Sequence, residues 1–293
     1  MLVFILSFKR RYALVLIEYE LFPYFPSYFE YLLQKRGIKY LVDYDDALFH
    51  KYEDFPMLKD KIAKVMGYAD TVIVCNSYLE AYAKLYQKAV FKIPTVVSVT
   101  RYREKKKMYI SKDETTFVMG WIGSKTTSPY VLAILPVMER IYHKYSNVIL
   151  HLVGFDESIL SKEEKALAYI KVIAWREDTE IEEILAFDIG IMPLPDDKWA
   201  RGKCAFKLIQ YMSAQKAVIA SPIGMNTSLI KEGINGFLPS NDDAWFEAFK
   251  TLYLSPNLRE TMAKNNFEKI QKFYSDTLQA RRYMELIKRI SNV

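Results

Sequence analysis

The feature that most constrains the fold is an alternation of short apolar runs with helix-like segments along almost the whole chain. Ala13–Tyr19, Ile38–Tyr44 and Thr71–Asn76 are runs rich in Val, Ile and Leu. The pattern recurs in "TFVMGWIG", "NVILHLVG", "YIKVIAW", "FDIGIMPL" and "KAVIAS". Apolar runs without polar alternation are typical of parallel strands that are covered on both faces. The sequence therefore predicts a doubly wound α/β protein.

A charged break divides this alternation into two blocks. The stretch Arg101–Thr115 has five basic residues in its first seven and lacks an apolar period, which predicts a solvated linker. We therefore expect a first domain over residues 1–100 and a second over 101–265. Residues 266–293 form a basic amphipathic pattern, which predicts a last helix that packs back on the first domain.

Charge and cysteine usage narrow the classes of partner. The net charge of +6 is too small for a nucleic-acid-binding signature but suits anionic small molecules or an anionic membrane face. Cys75 and Cys204 lie far apart in the sequence, and the three histidines do not cluster. We therefore expect neither a disulfide framework nor a metal site. We therefore predict a cytoplasmic protein. The basic charge also allows peripheral contact with the inner face of a membrane.

Three loops of the second block follow predicted strands, where open parallel sheets bind their ligands. The first contains Gly123, Ser124 and Lys125, of which the glycine allows close approach of the backbone to a ligand. Trp175 and Arg176 lie at the tip of the second loop. The third loop, "PLPDDKWARGKCAFK", opens the next helix. All three are candidate binding loops.

The third loop places lysines where a helix is expected to begin. A helix N-terminus carries unpaired N–H groups and partial positive charge, so Lys203 and Lys207 there predict an anionic ligand such as a diphosphate. Lys203, Lys207 and Gln210 have the spacing of one helix face. The competing explanation is a solvated lysine face. Cys204 lacks a partner at fixed spacing for nucleophilic catalysis, so packing is its expected role.

The segment "MPLPDDKWARGKCAFKLIQYMSAQKAVIASPIG", followed by "NGFL" at Asn235–Leu238, resembles the nucleotide-sugar signature of the group 1 glycosyltransferases. These are the retaining, family 4 enzymes of GT-B fold. "GWIGS…VILHLVG" is similar to the start of their donor domain, and "FKIPTVVSVTRY" to their interdomain strand. The resemblance implies two Rossmann-like domains facing a cleft, with a last helix crossing back. It also implies front-face attack, in which the leaving phosphate helps to take the acceptor proton.

The sequence departs from this family at its charged positions. The two glutamates of the usual donor site would fall at Gly202 and Gln210, and the usual Arg and Lys near Ser124 and Tyr130. We infer that the phosphate-binding charge has moved to lysines, namely Lys125, Lys203 and Lys207. Gln210 would hydrogen-bond ribose hydroxyls. Relative to the family, we also expect the first block to lack one or two of the strand–helix units that open the first domain.

Acidic residues follow the predicted strand Ile38–Tyr44. Asp45 falls where the resemblance places a histidine near the acceptor, and Asp46 follows it. Like charges so close raise the pKa of one carboxyl group, which suits a general base. The competing explanation is a helix cap with solvent-exposed acids.

The resulting hypothesis is a metal-independent, retaining glycosyltransferase that needs no cofactor besides its nucleotide-sugar co-substrate. Its partners would be a nucleotide-sugar donor and a glycan or lipid-linked acceptor, without nucleic acid. The predicted catalytic residues are Asp45, Asp46 and Lys207. The predicted substrate-binding residues are Gly123, Ser124, Lys125, Trp175, Arg176, Arg201, Gly202, Lys203, Cys204, Ala205, Phe206 and Gln210. The alternatives are a non-catalytic sugar-nucleotide-binding or scaffold subunit and a GT-B sugar-nucleotide epimerase.

Overall fold

The structure is a computed structural model that describes residues 12–110 and 115–291. Its strands are β1 (Val15–Glu18), β2 (Tyr40–Tyr44), β3 (Thr71–Val74), β4 (Val90–Lys92), β5 (Phe117–Ile122), β6 (Val148–Val153), β7 (Ile170–Ile173), β8 (Ile189–Met192) and β9 (Ala217–Ala220). Its α-helices are α1 (Tyr28–Lys35), α2 (Lys61–Tyr68), α3 (Ser77–Ala83), α4 (Val99–Met108), α5 (Pro129–Leu132), α6 (Leu135–Lys144), α7 (Lys162–Lys165), α8 (Glu180–Leu185), α9 (Lys198–Arg201), α10 (Phe206–Ser213), α11 (Asn226–Leu229), α12 (Asp242–Leu254), α13 (Pro256–Phe273) and α14 (Asp276–Ser291). Short 3-10 helices span Leu48–Tyr52, Lys125–Thr127 and Glu157–Ile159.

The strands form two parallel sheets. One has the order β1-β2-β3-β4 and the other the order β7-β6-β5-β8-β9. The second order reverses direction at β5, which is the doubly wound arrangement. Each apolar run quoted above contains one of these strands, so the predicted α/β class is confirmed.

The chain divides into two compact units. The first unit comprises Met1–Thr95, Asp197–Cys204 and Thr277–Val293, and the second comprises Val96–Asp196 and Ala205–Asp276. The short segment Asp197–Cys204, which contains α9, thus packs with the first unit although its flanking residues belong to the second. We call it the inserted segment.

The core of the second unit lies between its sheet and the flanking helices. Strand residues such as Trp121, Leu150 and Ile219 pack with Met138 of α6 and Phe249 of α12, and all five are buried. Removing such side chains from water stabilises the fold by about 1.5–3 kcal/mol each. Because the strands are covered on both faces, they contain few polar residues, which is why their sequence shows runs rather than alternation.

The last helix packs on the first unit. Leu286 of α14 contacts Leu41 of β2 and Ile73 of β3 in one buried cluster. Lys39 donates a hydrogen bond to the carbonyl oxygen of Ile290 over 2.8 Å, and Tyr283 hydrogen-bonds Asp43. The predicted return of the C-terminal helix to the first block is confirmed.

The predicted linker Arg101–Thr115 is wrong over its first half, where α4 (Val99–Met108) is helical. Val99 and Tyr102 are buried on its inner side, and their spacing of three residues is helical. The apolar stripe is short and surrounded by lysines, so the sequence pattern did not indicate a helix here. Residues 111–114 of the predicted linker lie outside the described residues. Of the helices that the structure describes, none is both long and apolar enough to cross a bilayer.

Candidate active site

The helix α10 begins two residues after the inserted segment. Directly before it, the backbone conformation changes at Ala205. Ala205 has a left-handed conformation with φ 53° and ψ 33°, and α10 starts at Phe206. Its buried face carries Leu208, Ile209 and Met212. The expectation that Lys203, Lys207 and Gln210 share one helix face is wrong, because the break at Ala205 leaves Lys203 outside the helix and because Gln210 is only 3% exposed.

Lys207 lies at the first turn of α10, beside the end of β5. Its Nζ atom is 5.4 Å from the centroid of the Trp121 ring and 3.4 Å from Oγ1 of Thr127. A Cβ atom at Gly123 would lie 2.8 Å from Cε of Lys207 and closer still to the Trp121 ring. Glycine is therefore required at position 123. The N–H groups of the α10 first turn add partial positive charge beside the ammonium group.

The loops after β5, β6 and β7 meet at the same edge of the second sheet. Gly154, after β6, has φ +73°, and a Cβ atom there would collide with the carbonyl oxygen of Gly123 and lie 3.0 Å from Cβ of Trp175. Gly154 thus packs against both Gly123 and Trp175. Two of the three predicted binding loops are brought together by this arrangement.

A carboxylate that the sequence reasoning missed occupies this edge. Glu180, the first residue of α8, accepts a hydrogen bond of 2.9 Å from Nε1 of Trp175. Its other carboxylate oxygen accepts one of 2.9 Å from Nε2 of Gln210. The available signal was its place directly after the Trp175 loop, in an acidic stretch that opens a helix. The side-chain amide nitrogen of Gln210 thus donates a hydrogen bond to Glu180.

The remaining candidates of the second unit lie near the surface. Ser124 and Lys125 are exposed, and Oγ of Ser124 lies 2.8 Å from Oγ1 of Thr126. Arg176 forms two hydrogen bonds with Asp178, of 3.0 and 2.6 Å, which raise the pKa of its guanidinium. Phe206 is exposed at the start of α10.

In the first unit, two carboxylates follow β2 as predicted. The hydroxyl of Tyr19 donates a hydrogen bond to Asp45. Asp46 lies 3.9 Å from Nζ of Lys203. The pKa of Asp45 is raised above its ordinary value, first because surrounding protein atoms reduce its hydration and second because Asp46 is negatively charged. The positive charge of Lys203 opposes this shift only weakly.

Asn76, which the sequence reasoning did not single out, fixes the inserted segment to the end of β3. Its Oδ1 atom caps α3 by accepting a 2.9 Å hydrogen bond from the N–H of Leu79. Its Nδ2 group donates a 2.7 Å hydrogen bond to the carbonyl oxygen of Gly202. A Cβ atom at Gly202 would collide with the side chain of Ala47. Position 202 therefore has no room for the glutamate that the resemblance places there.

The expectation that the cysteines stay unpaired is wrong. Cys75, which follows β3, and Cys204, which ends the inserted segment, form a disulfide with a Cα–Cα distance of 6.0 Å. The fold brings together residues that are 129 positions apart in sequence. Since disulfides persist mainly in oxidising surroundings, cysteine usage no longer supports a reducing setting.

The rest of the inserted segment is tied to the first unit by charge. Nζ of Lys198 lies 3.1 Å from Oε2 of Glu53, whose other oxygen lies 2.6 Å from Nδ1 of His50. These two partners lower the pKa of Glu53. Arg201 is exposed at the end of α9, and its charge opposes the rise that burial causes in the pKa of Tyr78. Among residues 12–110 and 115–291, no group of three or more His, Cys, Asp or Glu side chains is placed to hold a metal ion.

Comparison with known proteins agrees with this architecture. Residues 116–255 match the family described as "Glycosyl transferases group 1". No curated protein is significantly similar to the chain. A glycosyltransferase from Rickettsia africae ESF-5 superposes with a TM-score of 0.71 at 17% identity, covering 99% of this chain and 80% of the other. Anabaena Alr3699/HepE in complex with UDP gives 0.73 at 16% identity, covering 98% and 82%. Sucrose-phosphate synthase from Thermosynechococcus elongatus gives 0.67 at 16% identity, covering 98% and 76%.

The chain has the GT-B fold. In this GT-B chain, the predicted site residues separate into two groups, each within one unit. The second unit brings together Gly123, Trp175 and Lys207, and the first brings together Asp46 and Lys203. The positions of the family's two glutamates also separate. Gly202 belongs to the inserted segment and Gln210 to α10 of the second unit.

Proposed function

We propose that the chain is a glycosyltransferase that transfers a sugar from a nucleotide-sugar donor to a glycan or lipid-linked acceptor. The observation that carries the proposal is the cationic edge of the second unit, where Lys207, Gly123 and the α10 N-terminus lie together. This edge belongs to the region that matches the glycosyltransferase family. Solved structures of the same fold contain UDP or UDP-glucose.

The second unit would bind the diphosphate of the donor. Lys207 and the first-turn N–H groups of α10 stabilise the negative charge that develops on the leaving nucleoside diphosphate. Such preorganised charge is commonly the largest electrostatic contribution to group-transfer catalysis. Any side chain at position 123 would displace Lys207 or Trp121, so Gly123 allows Lys207 to keep its position. Lys203 is proposed as a further ligand-binding lysine; it belongs to the first unit, where its Nζ atom lies 3.9 Å from Asp46.

Glu180 would bind the ribose. The two glutamates of the related donor sites are replaced by Gly202 and Gln210, which leaves a requirement for a hydrogen-bond acceptor. Lysine cannot accept hydrogen bonds, whereas an ionised carboxylate can accept several. Each oxygen of Glu180 accepts one protein hydrogen bond and retains capacity for a ribose hydroxyl. Gln210 then positions Glu180.

The first unit would activate the acceptor. The bond between the acceptor oxygen and the anomeric carbon forms while the bond from that carbon to the diphosphate breaks. Asp45 takes the hydroxyl proton, for which a raised pKa is favourable. Asp46 and Lys203 keep the neighbouring charge balanced. We propose retention of configuration, in which the acceptor oxygen attacks on the face from which the diphosphate departs. We also propose metal independence, since lysines and helix N–H groups neutralise the charge of the leaving diphosphate.

A non-catalytic sugar-nucleotide-binding subunit is the second candidate. It is favoured by one observation, the packing of Gly202 against Ala47, which excludes a carboxylate from a position where related enzymes carry one. Such a subunit would bind nucleoside diphosphates without turnover. Binding and turnover must therefore be measured separately.

The test is titration of UDP, GDP and ADP by calorimetry, followed by detection of nucleoside diphosphate release from the matching sugar nucleotides in EDTA. Charge-assisted hydrogen bonds contribute roughly 1.5–3 kcal/mol. Lys203→Ala and Lys207→Ala should therefore each weaken binding by about one to two decades. Lys264→Ala removes an exposed lysine of α13 and is the matched control.

The outcomes separate the candidates. Binding with turnover supports the transferase, and binding without turnover by any offered sugar and acceptor supports the subunit. If both lysine variants bind as the unchanged protein does while remaining folded, the cationic edge is only a solvated surface and the proposal fails.

A further inference from the structure

The first unit presents an exposed surface of large apolar side chains that the proposed chemistry does not use. It is formed by the loop from β1 to α1, the first turn of α1, and the turn before α2. Its members are Phe22, Tyr24, Phe25, Tyr28, Phe55 and Met57, which we call the aromatic surface. All six are exposed, from 41% for Phe22 to 88% for Met57.

The rings of the aromatic surface form two clusters that adjoin along the chain, since Tyr24 stands between Phe22 and Phe25. The rings of Phe22, Phe25 and Tyr28 each contact Phe29, with centroid distances of 4.8, 5.6 and 5.6 Å. The ring of Tyr24 contacts that of Phe55 at 6.0 Å. Single exposed apolar residues are ordinary, whereas a contiguous patch marks a protein or membrane contact.

A buried polar network holds these rings outward. The buried side chains of Lys61 and Glu20 form an ion pair beneath the loop. Nζ of Lys61 also donates a 2.6 Å hydrogen bond to the carbonyl oxygen of Phe22. The hydroxyl of Tyr52 donates to Glu20 over 2.7 Å and accepts from the N–H of Tyr24 over 3.1 Å. Burying charged groups costs free energy unless they are paired. Because Lys61 and Glu20 are paired and also bond to the loop or to Tyr52, the network fixes the conformation of the loop.

Lysines border the aromatic surface. Nζ of Lys51 is 4.4 Å from the centroid of the Tyr24 ring. Nζ of Lys35 is 5.4 Å from that of Tyr31, which lies one turn after Tyr28 on the same face of α1. Among the residues of 28–36 and 49–64 that are not buried, five are lysines or arginines and three are acids. Rings with polar tips, fully apolar side chains and a cationic border are the composition of a membrane-interface contact.

We propose that the aromatic surface docks the protein on an anionic lipid bilayer. The side chains of Phe22, Phe25, Phe55 and Met57 enter the boundary between headgroups and acyl chains. The tyrosine hydroxyls and the Lys35 and Lys51 ammonium groups remain at the level of the anionic headgroups, as amphipathic side chains do. The charge border distinguishes this occupant from a second copy of the chain, which would bring its own lysines against these.

The position of the surface connects it with the acceptor side of the proposed function, on which this one consequence rests. The loop follows β1, and Asp45 follows the neighbouring strand β2 in the same parallel sheet. The hydroxyl of Tyr19, in that loop, hydrogen-bonds Asp45. Membrane docking would bring the candidate base close to a lipid-linked acceptor. The docking itself does not depend on transfer activity.

The test is flotation of the full-length protein with vesicles of phosphatidylcholine alone, or with about one-quarter phosphatidylglycerol as the anionic lipid. Docking predicts binding to the anionic vesicles that weakens in high salt. Phe25→Ser with Phe55→Ser should reduce the partition coefficient by at least about tenfold, since each ring loses its buried apolar area. Lys35→Ala with Lys51→Ala should reduce it only on anionic vesicles.

The matched control is Leu85→Ser with Ile110→Ser. These residues are 72% and 89% exposed and lie outside the aromatic surface, so vesicle binding should not change. Thermal unfolding profiles show whether each variant is folded, and nucleoside diphosphate titration reports on the proposed function separately. The proposal is overturned if the unchanged protein does not float, if the ring variant floats equally well, or if the ring variant instead dissociates a dimer in the absence of lipid.

Discussion

Replacement of Asn76 by alanine should release the inserted segment from the first unit. Asn76 is buried and makes hydrogen bonds in two directions. Its oxygen caps α3 at Leu79, and its Nδ2 group bonds the carbonyl oxygen of Gly202. Lys203, the next residue, faces Asp46 at 3.9 Å. Loss of the Asn76 amide therefore affects both the stability of α3 and the position of a proposed ligand-binding lysine.

The two contributions can be separated by a pair of substitutions. Loss of an N-cap costs about 1 kcal/mol, and leaving the buried Gly202 carbonyl unpaired costs about 1–3 kcal/mol. Asn76→Ala should thus destabilise by about 2–4 kcal/mol. Asn76→Ser keeps a capping oxygen but cannot reach Gly202, so it should cost about 1 kcal/mol less. Asn241→Ala is the matched control, because the side chain of Asn241 caps α12 and makes only that hydrogen bond among the described residues.

Hydrogen exchange measured by mass spectrometry on peptides covering residues 197–204 reports the local effect. If opening of the segment is limited by the Asn76–Gly202 bond, both Asn76 variants should increase exchange there by about 5- to 150-fold. The disulfide Cys75–Cys204 also restrains the segment, so the increase should be larger after reduction. Urea unfolding of the same variants gives the global change.

Two results would refute this reasoning. Exchange in residues 197–204 that is the same in Asn76→Ala and Asn241→Ala, with and without reductant, would show that the bridge does not hold the segment. Additive losses of nucleoside diphosphate affinity in the Asn76→Ala, Lys203→Ala double variant would show that Asn76 does not act through Lys203.

Three further predictions concern the charged positions of the site. If Asp45 is the base, turnover should fall as pH drops through its pKa, which burial raises above the ordinary value of an aspartate. Asp45→Asn should lose turnover but keep donor affinity, and normal turnover of this variant contradicts the assignment. Gly202→Glu restores a family carboxylate in sequence but collides with Ala47, so we expect a loss of about 1–3 kcal/mol in the free energy of unfolding, and unchanged urea stability would show that the segment has room. Glu180→Gln should weaken UDP binding by about tenfold or more but leave binding of 2′,3′-dideoxy-UDP nearly unchanged, as measured by calorimetry; equal losses for both ligands would indicate a structural role.

The fold class could be predicted from the sequence because its cause is local and repeated. Strands buried on both faces must be apolar throughout, so β2, β5, β6 and β9 appear directly as runs of Val, Ile and Leu. Gly37, which follows α1 with φ 61°, is a local sequence signal of a helix end. The helix α4 was missed because its buried side chains are outnumbered by lysines and its stripe is short.

The arrangement of the candidate site was decided by tertiary structure. The spacing of Lys203, Lys207 and Gln210 predicted one helix face, but a single left-handed residue at Ala205 separates the first lysine from the helix. That conformation costs free energy locally and is stabilised by contacts of the inserted segment with Asn76, Ala47 and Cys75, all distant in the sequence.

Pairings between distant residues leave no periodic signal in one sequence. The positions of Cys75 and Cys204 gave no reason to pair them, because their proximity depends on the path of the chain between them, which includes Val96–Asp196 of the second unit. The same holds for Glu180, whose meeting with Gln210 depends on α8 and α10 packing at one sheet edge. The strand and helix segments follow largely from local chemistry, whereas the order of the strands in each sheet and the partners of each charged group follow only from the folded chain.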